Sequence, residues 1–168
     1  MARDDTRAVA DDDRQFMKAF QDFVPDNHCY GCGPENPKGM QIKSYWDGDE
    51  SVCTYIPKPE QCAGPTNVVY GGTIASLIDC HCVNTAMANY RKREGRENGE
   101  GEPIWCVTGR LTVNYRAPTP IDQPIQLRAR IIETTDKKTV LECDLSSGGE
   151  VTATGDVIAV RVPPSWRG

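Results

Sequence analysis

One stretch of the chain has the length and periodicity of a long buried helix, and the sequence on either side of it is of a different kind. From Gly71 to about Arg93, the residues Ile74, Leu77, Ile78, Val83, Ala86, Met87 and Tyr90 recur at helical spacing. They sustain an apolar stripe for about six turns. Arg91, Lys92 and Arg93 follow where cations complement the negative end of a helix dipole. Two features depart from a plain core helix. It opens on Gly71-Gly72, although each glycine costs a helix about 1 kcal/mol. Two turns later a carboxylate, Asp79, interrupts the apolar run. Buried carboxylates are costly unless paired or put to use, so chemistry is expected here.

Downstream the period changes to two. Val107-Thr108-Gly109-Arg110-Leu111-Thr112-Val113-Asn114-Tyr115 alternates apolar and polar residues, as a half-buried strand does. Further strands are expected at 125–133, 139–145 and 151–162, the last three joined by short turns and therefore antiparallel. Upstream, residues 27–39 are crowded with turn formers, and 40–45 and 51–56 read as a hairpin around Asp47-Gly48-Asp49-Glu50. Residues 57–67 form an irregular loop. A short amphipathic helix is expected from Gln15 to before Pro25, built on Phe16, Met17, Ala19, Phe20 and Phe23. The expected organisation is a tail and short helix over 1–26 and one domain over 27–168. The order is a hairpin, one long helix and four long strands, and so apolar a helix needs a sheet wrapped over it.

The chain has 168 residues and a net charge of -5, a length that suits one domain with a sizeable core. Nucleic-acid binding needs a basic footprint, and the acidic balance argues against it. No apolar run serves as a membrane span or signal, so a cytoplasmic setting is expected, and with it free thiols for the eight cysteines.

The markers Cys29-Tyr30-Gly31-Cys32-Gly33, Asn36-Pro37-Lys38-Gly39-Met40, Tyr70-Gly71-Gly72 with Leu77-Ile78-Asp79, and Val113-Asn114-Tyr115-Arg116-Ala117-Pro118 occur in order. In this, the chain resembles PaaI-like acyl-CoA thioesterases of the hotdog-fold superfamily, over about Cys29 to Val162. The resemblance implies an α+β hotdog fold, a curved antiparallel sheet around one central helix. It also implies Asp79 as the catalytic carboxylate and Thr108 as its assistant. Family members usually carry His-Gly-Gly at the helix start, where this chain has Tyr70-Gly71-Gly72.

On the chemistry alone, thioester hydrolysis needs a polarised carbonyl and an attacking oxygen. Backbone N–H groups at the helix start can supply the first, with Gly71 and Gly72 letting a ligand approach. Asp79 can supply the second, as general base or as nucleophile. Gly72 and Asp79 are seven residues apart, roughly 10 Å along a helix axis, too far to serve one carbon. Two antiparallel helices across a two-fold axis bring one chain's Gly72 to the other's Asp79. A homodimer, or two such dimers paired, is therefore expected.

The expected substrate is an acyl-CoA, with no cofactor besides the coenzyme A it carries. Tyr70, Gly71, Asn67, Arg110, Asn114 and Arg116 are candidates for holding it. Arg91, Lys92, Arg93 and Arg96 are further candidates for its phosphates, by charge. The alternative is a non-catalytic acyl-CoA-binding hotdog protein, against which Asp79 speaks. Cys29-x-x-Cys32 beside His28 invites a zinc reading. A structural zinc needs four ligands, Cys62 would have to be the fourth, and no second C-x-x-C appears, so a packed, reduced loop without metal is expected. His81 is expected to be a satisfied polar residue on another face of the helix from Asp79.

Overall fold

The computed structural model describes residues 17–167. A short hairpin, β1 (Tyr45–Asp47) and β2 (Glu50–Tyr55), precedes the one α-helix among the described residues, α1 (Gly71–Arg93). Four long strands follow: β3 (Trp105–Tyr115), β4 (Ile125–Thr134), β5 (Lys138–Ser147) and β6 (Glu150–Val162). They form one six-stranded sheet in the order β1-β2-β4-β5-β6-β3, antiparallel throughout. The sheet curves around α1, which is the hotdog arrangement.

The core lies between helix and sheet. Ile74, Leu77 and Ile78 from α1 meet Leu127, Leu141, Leu145 and Val157 from the strands. Helix and sheet come close because β6 carries a glycine under the helix. A Cβ on Gly155 would stand 2.4 Å from Ile78 Cγ2, inside van der Waals contact.

The helix is not simply amphipathic. Besides the expected stripe, Cys80, His81, Cys82, Asn84, Thr85 and Arg91 are also buried. The segment from Ala19 to Ser44 lies over the face of α1 that the sheet leaves open, so the helix is enclosed from both sides. Gln21 and Ser44 clamp that segment through Gln21 Nε2 to Ser44 Oγ (3.0 Å) and Ser44 N to Gln21 Oε1 (2.9 Å).

This covering segment is where the sequence misleads. Only Phe20–Phe23 is helical, as a 3-10 turn; Gln15 and Phe16 lie outside the described residues. Phe20 N–H donates to Ser44 O (2.9 Å) and Ala19 N–H to the Asp22 carboxylate (3.2 Å), so donors an α-helix would use are committed elsewhere. The expected strand at 40–45 shrinks to Tyr45–Asp47. Gln41 sits at φ 57°, outside strand geometry. Its side chain instead reaches Gly33 O (2.8 Å) and Asn36 O (2.6 Å). The irregular loop after β2 contains a 3-10 turn at Pro59–Gln61.

Candidate active site

Asp79 lies on the third turn of α1, half-buried, facing β3. Thr108 Oγ1 donates to Asp79 Oδ1 at 2.5 Å. The second carboxylate oxygen, Oδ2, has no partner among the described residues. Burial raises the carboxyl above its usual range, the Thr108 hydrogen bond opposes this, and charge on Cys29 adds to the rise.

Thr108 reaches Asp79 because of a bulge. The register along β3 shifts between Thr108 and Arg110, so that Thr108 pairs with Ala159 and Arg110 with Ile158. Strict alternation counted back from Tyr115, Val113 and Leu111 would turn Gly109 toward the helix and Thr108 away. The extra residue restores Thr108 to the inner face, opposite the buried Ala159. Upstream of the bulge it is Cys106 that is buried, rather than the Val107 that period two puts in phase.

The helix start is framed by two tyrosines. Tyr70 is the N-cap residue, yet its side chain makes no capping bond. Its ring lies across Gly72: a Cβ there would stand 2.3 Å from Tyr70 Cε1. Tyr115 Oη donates to Gly71 O (2.7 Å) and its ring covers Gly71. Sequence reasoning missed this role for Tyr115; an aromatic ending the strand that also carries Thr108 is the only signal for it. Thr73 and Ile74 N–H groups turn back to Tyr70 O (3.0 and 3.3 Å). Gly71 and Gly72 N–H have no acceptor among the described residues, as expected for donors at a helix start.

The remaining candidates are not gathered at Asp79 within one chain. Arg110 and Asn114 are exposed on the sheet face turned away from α1, in phase with Thr112, and Arg116 is exposed just past the end of β3. Asn67 lines a surface cleft with Val68, Pro118 and Ile121 near the helix entrance. The cations at the far end of α1 have structural partners. Arg91 is buried, donates to Phe20 O (3.3 Å) and stacks over Phe23; Arg93 donates to Thr134 O (3.2 Å); Arg96 pairs with Glu94 (2.8 Å). Arg91 is therefore unavailable to a ligand phosphate.

His81 is fully buried, with Ser44 Oγ 2.9 Å from Nδ1 and Ser51 Oγ 3.2 Å from Nε2. Burial holds its pKa down to about 4, so it is a neutral core group, as expected. The eight cysteines are free. Cys29 and Cys32 meet a third thiol, Cys80 of α1, rather than His28 or Cys62. Side-chain hydrogen bonds from Cys32 and Cys80 hold Cys29 below the ordinary thiol range, with the Cys32 and Gly31 N–H groups helping; Cys32 is pushed up in return. No helix among the described residues is long and apolar enough to cross a membrane.

The family profile of the thioesterase superfamily matches residues 66–154, which includes α1, Asp79, β3 and Thr108. A thioesterase superfamily protein from Shewanella loihica PV-4 is 34% identical, with 82% of this chain and 96% of that one covered, at a TM-score of 0.63. The PaaI protein of the E. coli phenylacetic acid degradation operon (15% identity, 74% and 81% covered, TM-score 0.57) shares the fold. So does a putative thioesterase from Ralstonia eutropha JMP134, described as phenylacetic acid degradation-related (15%, 77% and 92%, 0.62). A search of curated proteins found no match. A profile match spanning the helix and its facing strands, and a third of the residues shared with a solved member, place this chain in the thioesterase superfamily.

Proposed function

We propose that the protein hydrolyses an acyl-CoA thioester to the free acid and coenzyme A, with Asp79 as the group that delivers the attacking oxygen. The observation that carries this reading is the Asp79–Thr108 pair. One carboxylate oxygen is fixed by a hydroxyl while the other is left without a partner among the described residues. Burial makes the carboxylate a stronger base than an exposed aspartate. As general base, Oδ2 takes a proton from water as the water oxygen bonds to the thioester carbon. The tetrahedral intermediate then collapses, breaking the C–S bond, and the proton on Asp79 passes to the departing sulphur. Direct attack by Oδ2 breaks the C–S bond, releasing the coenzyme A thiolate to take a proton from solvent, and gives an acyl-aspartyl anhydride that water opens at the aspartyl carbon. The two routes separate in a single turnover in labelled water, because attack by Asp79 leaves label in the protein first.

The developing oxyanion needs donors, and the N–H groups of Gly71 and Gly72 are without acceptors among the described residues. Seven residues of helix separate them from Asp79, about 10 Å, so the pair serving one carbonyl comes from two chains. The outer edge of β3 supports this assembly. This eleven-residue strand pairs with β6 on one side only, and long edge strands without a partner invite another chain. In the dimer, the Gly71-Gly72 start of one protomer polarises the carbonyl attacked from Asp79 of its partner. Tyr70 stands where relatives place an imidazole and shields that helix start. The exposed Arg110 and Arg116 are cations for the coenzyme A phosphates, and Asn67 and Asn114 the amides at the margins.

The test is hydrolysis of a panel of short, long and aryl acyl-CoAs by the native protein and Asp79→Ala. Turnover is expected to fall at least about 100-fold in the variant. Undiminished hydrolysis would remove Asp79 from the mechanism, and absence of hydrolysis by the native protein would favour acyl-CoA binding without catalysis. A fully active monomer in light scattering would refute the composite site.

A further inference from the structure

The loop at 27–39 and the middle of α1 converge on three sulphurs. Cys29, Cys32 and Cys80 Sγ all lie within 4.8 Å of one another, and Cys29 and Cys80 Sγ are 3.8 Å apart. Tetrahedral zinc with bonds of about 2.3 Å to sulphur sets its sulphur ligands about 3.8 Å apart. Carbon packing does not require three thiols to converge from two segments 48 residues apart.

Side-chain amides also turn their N–H groups toward the sulphurs. Asn84 Nδ2 lies 3.2 Å from Cys32 Sγ, with Asn27 Nδ2 at 3.9 Å. N–H donors directed at ligand sulphur are the outer-shell partners a thiolate metal site needs. Gly31 is required by the same convergence, since a Cβ there would stand 2.3 Å from Cys80 Sγ. Gly33 closes the turn so tightly that a Cβ would meet Cys29 N and Asn27 O at 2.4 Å. The C-x-x-C-G sequence is thus folded around the sulphurs rather than merely over the helix.

We propose that Cys29, Cys32 and Cys80 form a three-thiolate site for one thiophilic divalent cation of the zinc class, clamping the 27–39 loop to α1 beside Asp79. Cys29, at the exposed rim, leaves the fourth position to solvent. Binding displaces to solvent the thiol protons that the sulphurs still carry. The clamp explains why a loop with no regular structure is fixed against the helix by cysteines when apolar residues would pack as well. It stands independently of the hydrolysis reading, because its tests read metal and thiols rather than turnover.

Protein purified under reducing conditions from zinc-supplemented cells is expected to hold one zinc per chain, and Cys29→Ser/Cys32→Ser none. After stripping, Co2+ should saturate at one equivalent with the visible bands of tetrahedral thiolate coordination, unchanged in Cys62→Ser and absent in the double variant. If the double variant does not fold, the wild-type protein still decides the question. Zn2+ should slow alkylation of exposed Cys29 by iodoacetamide at least about tenfold, and chelation should restore it. Alkylation indifferent to Zn2+, together with a Co2+ titration lacking those bands, would overturn the site, as would isolation of a Cys29–Cys32 disulfide under the same reducing conditions.

Discussion

Asp79 and His81 are two residues apart on the same helix, both titratable, and the structure treats them oppositely. His81 is enclosed, both its ring nitrogens have partners, and it has no capacity left to act on anything else. Asp79 is half-buried with one oxygen held and the other unmet. Burial shifts both groups, lowering the histidine and raising the aspartate, in each case toward the neutral form. The difference lies in what remains unsatisfied after folding. Chemistry is expected from the group whose hydrogen-bonding potential the fold leaves incomplete.

The most direct way to break this contrast is to remove each group in turn. The loss of at least about 100-fold expected for Asp79→Ala should appear in kcat, with stability little changed. His81→Leu should do the reverse. Ser44 and Ser51 would each lose one buried partner and keep the other, Gln21 and Thr85 respectively, at an expected cost of about 1–3 kcal/mol of unfolding free energy, measured by urea titration, while turnover per folded molecule stays unchanged. A catalytic loss in His81→Leu comparable to that of Asp79→Ala would erase the distinction. The pH dependence sharpens it. With the folded His81 near 4 and the unfolded imidazole near 6.5, the unfolded chain binds the extra proton between those values. Its contribution is whole above 6.5 and is lost as the pH falls toward 4. His81→Leu should flatten that limb of the stability curve.

A smaller effect tests the hydroxyl beside the carboxylate. Thr108→Val removes the one influence that lowers Asp79. It should reduce kcat about tenfold and move the acid limb of the pH–rate profile upward, and Thr108→Ser should restore both. A profile that stays in place would mean the hydrogen bond is not made in the working enzyme. The smallest expected change is thermal. Asp79 is raised by burial, so its ionised form opposes folding. Its contribution is favourable below the unfolded pKa and is lost as the pH rises through the folded one. Asp79→Asn should therefore melt no lower than the parent at pH 8, and up to about 3 °C higher. That gain should vanish once acid protonates Asp79. A lower Tm at pH 8 would show that the charge is stabilised by something besides Thr108.

How much of this could be read from the residues depends on how local each cause is. The bounds of α1 were legible because its apolar stripe runs for many turns and its glycine start and basic end agree with it. The strand ladder was legible from period two and short turns. The covering segment was not, because its conformation is set from afar: Ser44 O takes the Phe20 N–H, and the side chain of Gln41 holds the loop ahead of it. Asp79 could be suspected as a carboxylate in an apolar run. Thr108 could be reached only by resemblance, since alternation points it outward. Cys80 looks like an ordinary core residue in the helix pattern, and only the loop folding back onto α1 brings it to Cys29 and Cys32.

The bulge at Gly109 has a consequence for how such a site can change over time. It works as a frame shift within a strand: everything before it is read on the opposite face from everything after it. Were the ladder continuous, Gly109 would occupy the place beside Asp79 and the carboxylate would have no hydroxyl, with no amino acid in the chain altered. Two descendants differing by one inserted or deleted residue in β3 could thus present different neighbours to the same aspartate. Alignments that compare column against column would miss the change. Part of the site's identity is carried by the count of residues along an edge strand, and that count can drift independently of their kinds.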